Sequence, residues 1–355
     1  MYIVKLIPSK NSKYHFGEGD LSRSSLIFHS HSLFSAIVNN FITLYGVTEF
    51  NRYKEKFKKL RLSSLFPAIY KFEKQNISDE ILFLPKPMLK LGFDRSLQKE
   101  IEENPKEIKK IKFISIGALK EHNEGKLKKI TIDKNFLISN EEKEKLKYIK
   151  TIDMSLFDTM LEHKVTIDRI KEVTLEYEDK GQLYSVEFIK PFRKNNEIVG
   201  FYFLIDFDDI NEKLLKKLEA AIRLIQDEGL GGKRSIGAGF FKDIVIDKFK
   251  MELDNNSNKK YMTLSITVPK EEEFKSFCSY QLIKISGYIS SSSNIKYITK
   301  LKKSVYALKE GSICKKPIEG QILDLRPENV NHEILLNGRP ILLPITSHEE
   351  MDGEC

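Results

Sequence analysis

Residues 212–246 read EKLLKKLEAAIRLIQDEGLGGKRSIGAGFFKDIVI. Leu214, Leu215, Leu218, Ala221, Ile222 and Ile225 recur at three- and four-residue spacing, which predicts an amphipathic helix. Gly229 stands where a helix takes its left-handed stop. Gly231, Gly232, Gly237 and Gly239 then crowd around the adjacent cations Lys233 and Arg234, and FFKDIVI (240–246) returns as a strand. A Walker loop opens a helix, whereas this loop leaves one; Arg234 stands where Ser or Thr is required, and Asp227 where the first glycine belongs. The dinucleotide fingerprint fails the same positional test. Two readings remain. The glycines let successive N–H groups form an anion nest, with Lys233, Arg234 and the Ser235 hydroxyl beside it, a grip suited to a sugar-phosphate chain. Otherwise the segment is a sharp helix-to-strand connection with incidental charge. GAGFFKD is only superficially like an RRM motif, and Phe240 and Phe241 read as core.

Outward from this loop, LYSVEFIK (183–190) and IVGFYFLIDF (198–207) are two strand-like runs across a turn at Asn195 and Asn196. At the other end, YIVKLI (2–7) is a strand closed by Pro8, and a polar loop follows through Gly17, Gly19, Arg23 and Ser25. From Ser32 a helical stripe begins, with Leu33, Phe34, Ile37, Val38, Phe41, Ile42 and Tyr45, and Gly46 ends it. In the basic stretch 51–61, Tyr53, Phe57 and Leu60 face one way. The order β–α–β–β–α–β fits an α+β, ferredoxin-like (RRM-like) domain with helices on one face of antiparallel strands.

ILFLPKPMLK (81–90) has prolines on both sides of Lys86 and so is not expected to be a central strand. Residues 98–150 are dense in Lys and Glu with short apolar islands, KFISIGAL (112–119) and ITIDKNFLI (130–138). They read as a partly mobile insertion outside the core, or as a solvated helical face. KVTIDRI (164–170) is short and alternating. LDNNSNKK (253–260) is the best linker. Beyond it lie strand-like runs YMTLSITVPK, LIKISGYI, SVYALKEG, GQILDLRP and RPILLPIT, a short helix near Glu271, and a frayed tail, HEEMDGEC. The expected division is 1–250, with an inserted region at about 80–160, and 260–345.

Of 355 residues 41% are hydrophobic, enough for ordinary cores and against disorder throughout. The 59 Lys+Arg exceed the 51 Asp+Glu by 8, which favours an anionic partner. No run approaches the ~18 apolar residues of a membrane span, and the N-terminus lacks a signal-peptide pattern, so a cytoplasmic protein is expected. Cys278, Cys314 and Cys355 form no CxxC pair, which excludes a zinc ribbon or disulfide scaffold. His29 and His31 make no metal pair without further ligands, and no spacing joins Asp153, Asp158 and Asp168 into a carboxylate site.

GLGGKRSIGAGFF (229–241) resembles the C-terminal glycine-rich loop of the RAMP proteins of CRISPR systems. YHFGEG (14–19) and FHSHSLFSAIVNN (28–40) are similar to the N-terminal loop and first helix of the Cas5-like RAMP family that forms subunit four of type III-A Csm complexes. FLPKPML (83–89), KFIS (112–115), HKVTIDRI (163–170), GQLYSVEF (181–188) and GSIC (311–314) keep the order of that family, so the resemblance spans nearly the whole chain.

The resemblance implies two ferredoxin-like domains, no cofactor, and a non-catalytic role in antiviral defence. Such subunits cap the 5′ repeat-derived handle of the crRNA and contact both the large polymerase-like subunit and the first Csm backbone subunit. Carried onto this chain, the handle lies against Gly231, Gly232, Lys233, Arg234 and Ser235, with His15, Phe16 and Arg23 facing it from the N-terminal loop. The inserted region corresponds to a thumb-like hairpin directed at RNA, on which Lys86 offers a rigid basic tip. One departure is His31, where relatives often carry an acid. The rival is a metal-independent endoribonuclease of the same superfamily. It needs a histidine base within reach of a ribose 2′-OH and a cation for the phosphorane; His15, His29 and His31 are the candidates.

Overall fold

The computed structural model describes the chain except residues 18–20, 150–154, 169–170, 175, 178–179, 182, 208–209, 252–258, 290–299, 329 and 349–355. Gly19, Asp153, most of the expected linker and most of the tail therefore lie outside the described residues.

Alternation in the first strand, β1 (Tyr2–Ile7), sends Ile3 and Ile7 to one face and Val4 and Leu6 to the other, and all four are buried. The sheet around it is therefore covered on both sides. Its spatial order is β10 (Asp243–Lys248), β1, β9 (Glu197–Asp206), β2 (Phe66–Glu73), β3 (Asn76–Pro85), β4 (Phe113–Ser115), β6 (Phe136–Leu137) and β5 (Thr131–Ile132). Arg61–Leu62 and Arg193–Lys194 add two short strands beside β9. Neighbours are antiparallel except β4 and β6. On one face lie α1 (Ser30–Phe57) and α3 (Glu212–Arg223), whose Leu33, Phe34, Ile37, Leu214, Leu218 and Ile222 share a core with Val4 and Leu6. Most of each expected stripe is buried, with Val38, Ile42, Tyr45 and Leu215 half-buried at its margins. Gly46 bends α1 instead of ending it: its φ of 80° breaks the helix axis, and Phe50 and Phe57 return to the core beyond the kink.

Two readings of the middle region are corrected. Residues 81–85 do belong to an internal strand, β3, flanked by β2 and β4. The prolines do not interfere, because Pro85 is its last residue and the pairing is carried past it by the Lys86 amide, which donates to the Lys112 carbonyl at 2.9 Å. The segment 98–150 does contribute core. Ile111, Phe113, Ile114, Ala118, Leu119, Phe136 and Leu137 are buried, and α2 (Ile116–Asn123) starts on a Ser115 cap. Its apolar islands look isolated in sequence because their strands are only two or three residues long and find their neighbours across the sheet, the first running straight into α2.

Leu183–Pro191 is a strand as expected, β8, but its partner is β7 (Phe157–Val165), and the two form a ribbon of their own. The turn at Asn195 joins Arg193–Lys194 to β9.

After residue 258 the runs read as strands are strands. β11 (Lys259–Thr263) pairs with β15 (Ile313–Cys314) and β18 (Leu342–Thr346), and β12 (Phe277–Ser279) lies outside β15. Two ribbons complete this part, β13 (Leu282–Ile285) with β14 (Val305–Leu308), and β16 (Gln321–Asp324) with β17 (Leu335–Gly338). Met262, Leu264, Leu343 and Ile345 pack with Ile3, Ile7, Tyr202 and Leu204, so this sheet covers the second face of the first. Ser265 Oγ donates to the Leu62 carbonyl at 2.6 Å and Asn337 Nδ2 to that of Leu60 at 2.9 Å, across the same junction. Among the described residues here, Glu271–Phe274 is the one helix. No helix of the described residues is long and apolar enough to cross a membrane.

Candidate nucleic-acid interface

The helix α3 passes through a further turn, Ile225–Glu228, and stops at Gly229, whose φ of 71° only glycine adopts cheaply. From there the chain presses against the N-terminal loop. The Gly232 amide donates to the His15 carbonyl at 2.9 Å, and that of Gly239 to the Lys13 carbonyl at 2.8 Å. A Cβ on Gly231 would stand 2.5 Å from the His15 oxygen, and one on Gly239 2.3 Å from the Leu230 oxygen. Gly231, Gly232 and Gly239 thus serve the close approach expected of them, whereas a Cβ on Gly237 would meet nothing within 4 Å and that glycine serves only a left-handed φ of 85°.

Between these anchors the loop turns outward. Lys233 is left-handed (φ 61°, ψ 26°), and Arg234–Ile236 follows as a right-handed 3-10 turn. A left-handed residue before a right-handed one points successive N–H groups into one concavity. Among the described residues, the amides of Lys233, Arg234 and Ser235 have no backbone acceptor. The hollow they border, about 490 Å³ and open to solvent, is also lined by Asp227, Glu228, Gly231, Gly232 and Phe240. Its acid is partly answered: Arg234 donates to the Glu228 carbonyl at 3.1 Å and stands 3.8 Å from its carboxylate. The Lys233 ammonium lies 4.8 Å from the ring centre of Tyr184. Arg234 and Ser235 are exposed.

The N-terminal loop is a support more than a surface. His15 is 3% exposed, and its Nδ1–H donates to the Glu187 carbonyl at 2.8 Å. Phe16 is buried among Phe28, Phe201 and Tyr14, so it cannot stack on a ligand, contrary to expectation. Arg23 is exposed. Beside it, the Ser24 amide donates to the Glu187 carboxylate at 2.7 Å.

Lys86 is not a projecting tip. It is half-buried, its ammonium donates to the Ile108 carbonyl at 2.9 Å, and burial lowers its pKa. A two-stranded ribbon with exposed apolar side chains does occur, but as β7–β8 at 157–191, almost wholly beyond 80–160. Met160, Leu161, Val165 and Leu183 are exposed on it. Tyr14 pairs with Ile189, Lys13 ion-pairs with Glu162 and lies 4.4 Å from the Phe188 ring centre, and the ribbon brings Tyr184 to Lys233. Sequence reasoning missed this because strand periodicity normally marks an apolar face turned inward. After the buried Phe157, the run DTMLEHKV does carry a sign of its own, since apolar and charged residues share its outer face.

The other histidines lie elsewhere. His29 Nδ1 is 2.9 Å from the buried Glu310 carboxylate. His31, against which His29 stacks, is held down to about 3 by desolvation, then by His29 and Lys302. Among the described residues no three His, Cys, Asp or Glu converge as a metal site.

Residues 11–242 match the model of the RAMP superfamily, and residues 256–345 that of the CRISPR Csm4 C-terminal domain. The chain is 44% identical to the CRISPR system Cms protein Csm4 of Methanocaldococcus jannaschii, over 99% of this chain and 100% of that one. The chain belongs to the Csm4 family. The Streptococcus thermophilus Csm4 is 27% identical over 93% of this chain and 95% of its own. Among solved structures, a chain of the Csm3–Csm4 subcomplex of the type III-A CRISPR-Cas interference complex is similar over 98% of this chain and 100% of its own, with 36% identity and a TM-score of 0.69. A chain of the Csm1–Csm4 cassette in complex with cA4 shares the fold at 18% identity and a TM-score of 0.57, over 98% of this chain and 99% of its own.

Proposed function

We propose that this chain is a non-catalytic, cytoplasmic subunit of a type III-A effector that caps the 5′ handle of crRNA. It bridges the large polymerase-like subunit to the first backbone subunit. The observation that carries this reading is the solvent-open nest at Lys233–Ser235, held against the His15 backbone by glycines that allow no side chain between. Main-chain amides with two adjacent cations grip phosphates whatever the base, as a cap on a fixed handle requires. The partners are inferred from relatives solved as Csm3–Csm4 and Csm1–Csm4 assemblies. The spatial order β10-β1-β9-β2, with α1 and α3 as the crossovers, supports a ferredoxin-like first domain.

The experiment is guide-RNA retention by the assembled complex carrying Lys233→Ala with Arg234→Ala, measured against salt. Loss of two phosphate contacts on a single strand lowers the slope of log K against log salt by about 1.4. Unchanged retention and slope overturn the assigned loop. The nuclease reading requires a mobile histidine at the hollow, whereas His15 lies beneath the loop with its Nδ1 proton committed to Glu187.

A further inference from the structure

From Phe274 to Lys309 the sequence contains no Asp or Glu, yet it holds Lys275, Lys284, Lys296, Lys300, Lys302, Lys303 and Lys309, with Tyr280, Tyr288, Tyr297 and Tyr306 among them. In a chain that is 31% charged and nearly balanced, such a stretch is unusual. Its described parts are β12 and, from Leu282 on, the β13–β14 ribbon. Ile283, Ile285, Val305 and Ala307 point inward onto Ile266, Leu325 and Leu336. The period of two then turns Leu282, Lys284 and Tyr306 outward. Lys284 stands directly opposite Tyr306 in the register, and Tyr288 is bridged to Leu301 four residues further on, roughly 13 Å at strand rise. Tyr306 is 64% and Tyr288 68% exposed, and Lys303, two residues before β14, is exposed as well. The flanking acids do not compensate the face: Glu310 is buried against His29, and Glu273 accepts the amides of Lys270, Glu319 and Gly320.

We infer that this ribbon is a second nucleic-acid surface, separate from the glycine loop, which takes a single-stranded RNA segment by stacking bases on Tyr288 and Tyr306 and pairing phosphates with Lys284 and Lys303. Exposed aromatics interleaved with lysines are what sequence-tolerant single-strand binding uses, and here Lys284 and Tyr306 share the outward strand face while Tyr288 and Lys303 extend it beyond the strand ends. Protein-docking faces are instead depleted in lysine at their centre. The large side chains need no order of bases, so the ligand class is RNA backbone with any π-face.

The test uses the full chain and a 5′-labelled oligouridine that carries no repeat sequence. Tyr288→Ala with Tyr306→Ala weakens its binding by about 10-fold or more, and Lys284→Ala with Lys303→Ala flattens the salt slope by about 1.4. Tyr306→Phe and Lys284→Arg keep both, which separates contact from folding. Crosslinking of a 4-thiouridine probe places RNA on the peptide containing Tyr306, and the Lys233→Ala, Arg234→Ala chain keeps that crosslink while losing handle retention. Unaltered oligouridine affinity in both double variants overturns the inference. So does a crosslink in the assembled complex that joins the ribbon to a protein subunit and never to RNA.

Discussion

The Gly232 amide meets the His15 carbonyl at 2.9 Å, and the missing side chain of Gly231 lies over that same oxygen. Loop and support are thus in register through main chain alone. Gly231→Ala puts a Cβ 2.5 Å from the oxygen and forces alanine into φ 89°. Strain of this kind costs about 1–3 kcal/mol. The variant is expected to lose handle retention while every cation remains, with a drop in urea midpoint of matching size. Normal retention with the expected destabilisation would show that the loop does not depend on its seat.

Lys233 predicts opposite signs for stability and binding. Its backbone is left-handed, a conformation that costs a side-chain-bearing residue about 1–2 kcal/mol. Lys233→Gly removes that cost, offset in part by glycine's greater freedom when unfolded. Denaturant unfolding is expected to show a gain of up to about 1 kcal/mol, and RNA retention a loss. A variant that is both more stable and fully competent for RNA would make the strain incidental.

How far this could be read from sequence depends on where each apolar face points. β1, α1 and α3 were legible because their buried residues repeat at the periods of strand and helix. The close approach at the glycine loop was legible because Gly231, Gly232 and Gly239 carry no side chain where main chain or His15 must press against them. The β7–β8 ribbon was not, since Met160, Leu161 and Leu183 face solvent and imitate core. Phe16 was misplaced for the converse reason: a loop position in sequence gave no hint that Tyr14 and Phe16 are pulled into the core by Phe201. Lys86 looked exposed between prolines, and only the fold brings the Ile108 carbonyl to it.

Two histidines make stability fall with acid. Desolvation, then His348, lowers His122 to about 4, and its Nδ1 accepts the Gly92 amide at 2.8 Å, so protonation breaks a buried bond. His31 is lowered to about 3. Between these values and the ordinary 6.5 the unfolded chain binds protons that the folded chain refuses, so stability rises with pH across that window and is lost as pH falls through it. Each group contributes a slope of about 1.4 kcal/mol per pH unit. Urea midpoints between pH 6.5 and 4 are expected to fall steeply, and His122→Gln to flatten the curve by one proton. A variant curve parallel to the parent's would remove His122 from the account.

Glu197 is fully buried at the start of β9, and its carboxylate accepts three consecutive amides, those of Lys147 at 2.6 Å, Tyr148 at 3.0 Å and Ile149 at 2.8 Å. Nothing but a carboxylate offers so many lone pairs without a donor of its own. Glu197→Gln keeps the shape yet turns an NH2 group toward donors, leaving at least one amide unsatisfied in the interior. A buried charge-assisted bond lost in this way costs about 2–4 kcal/mol. The expected signature is local first: amide exchange at 147–149 accelerates while that of β1 and β9 keeps its protection. The segment these bonds hold leads towards β7, so retention of RNA is expected to weaken along with it, with Lys233 and Arg234 untouched. Equal exchange at 147–149 in parent and variant would mean that the backbone there is fixed by its neighbours and not by this side chain.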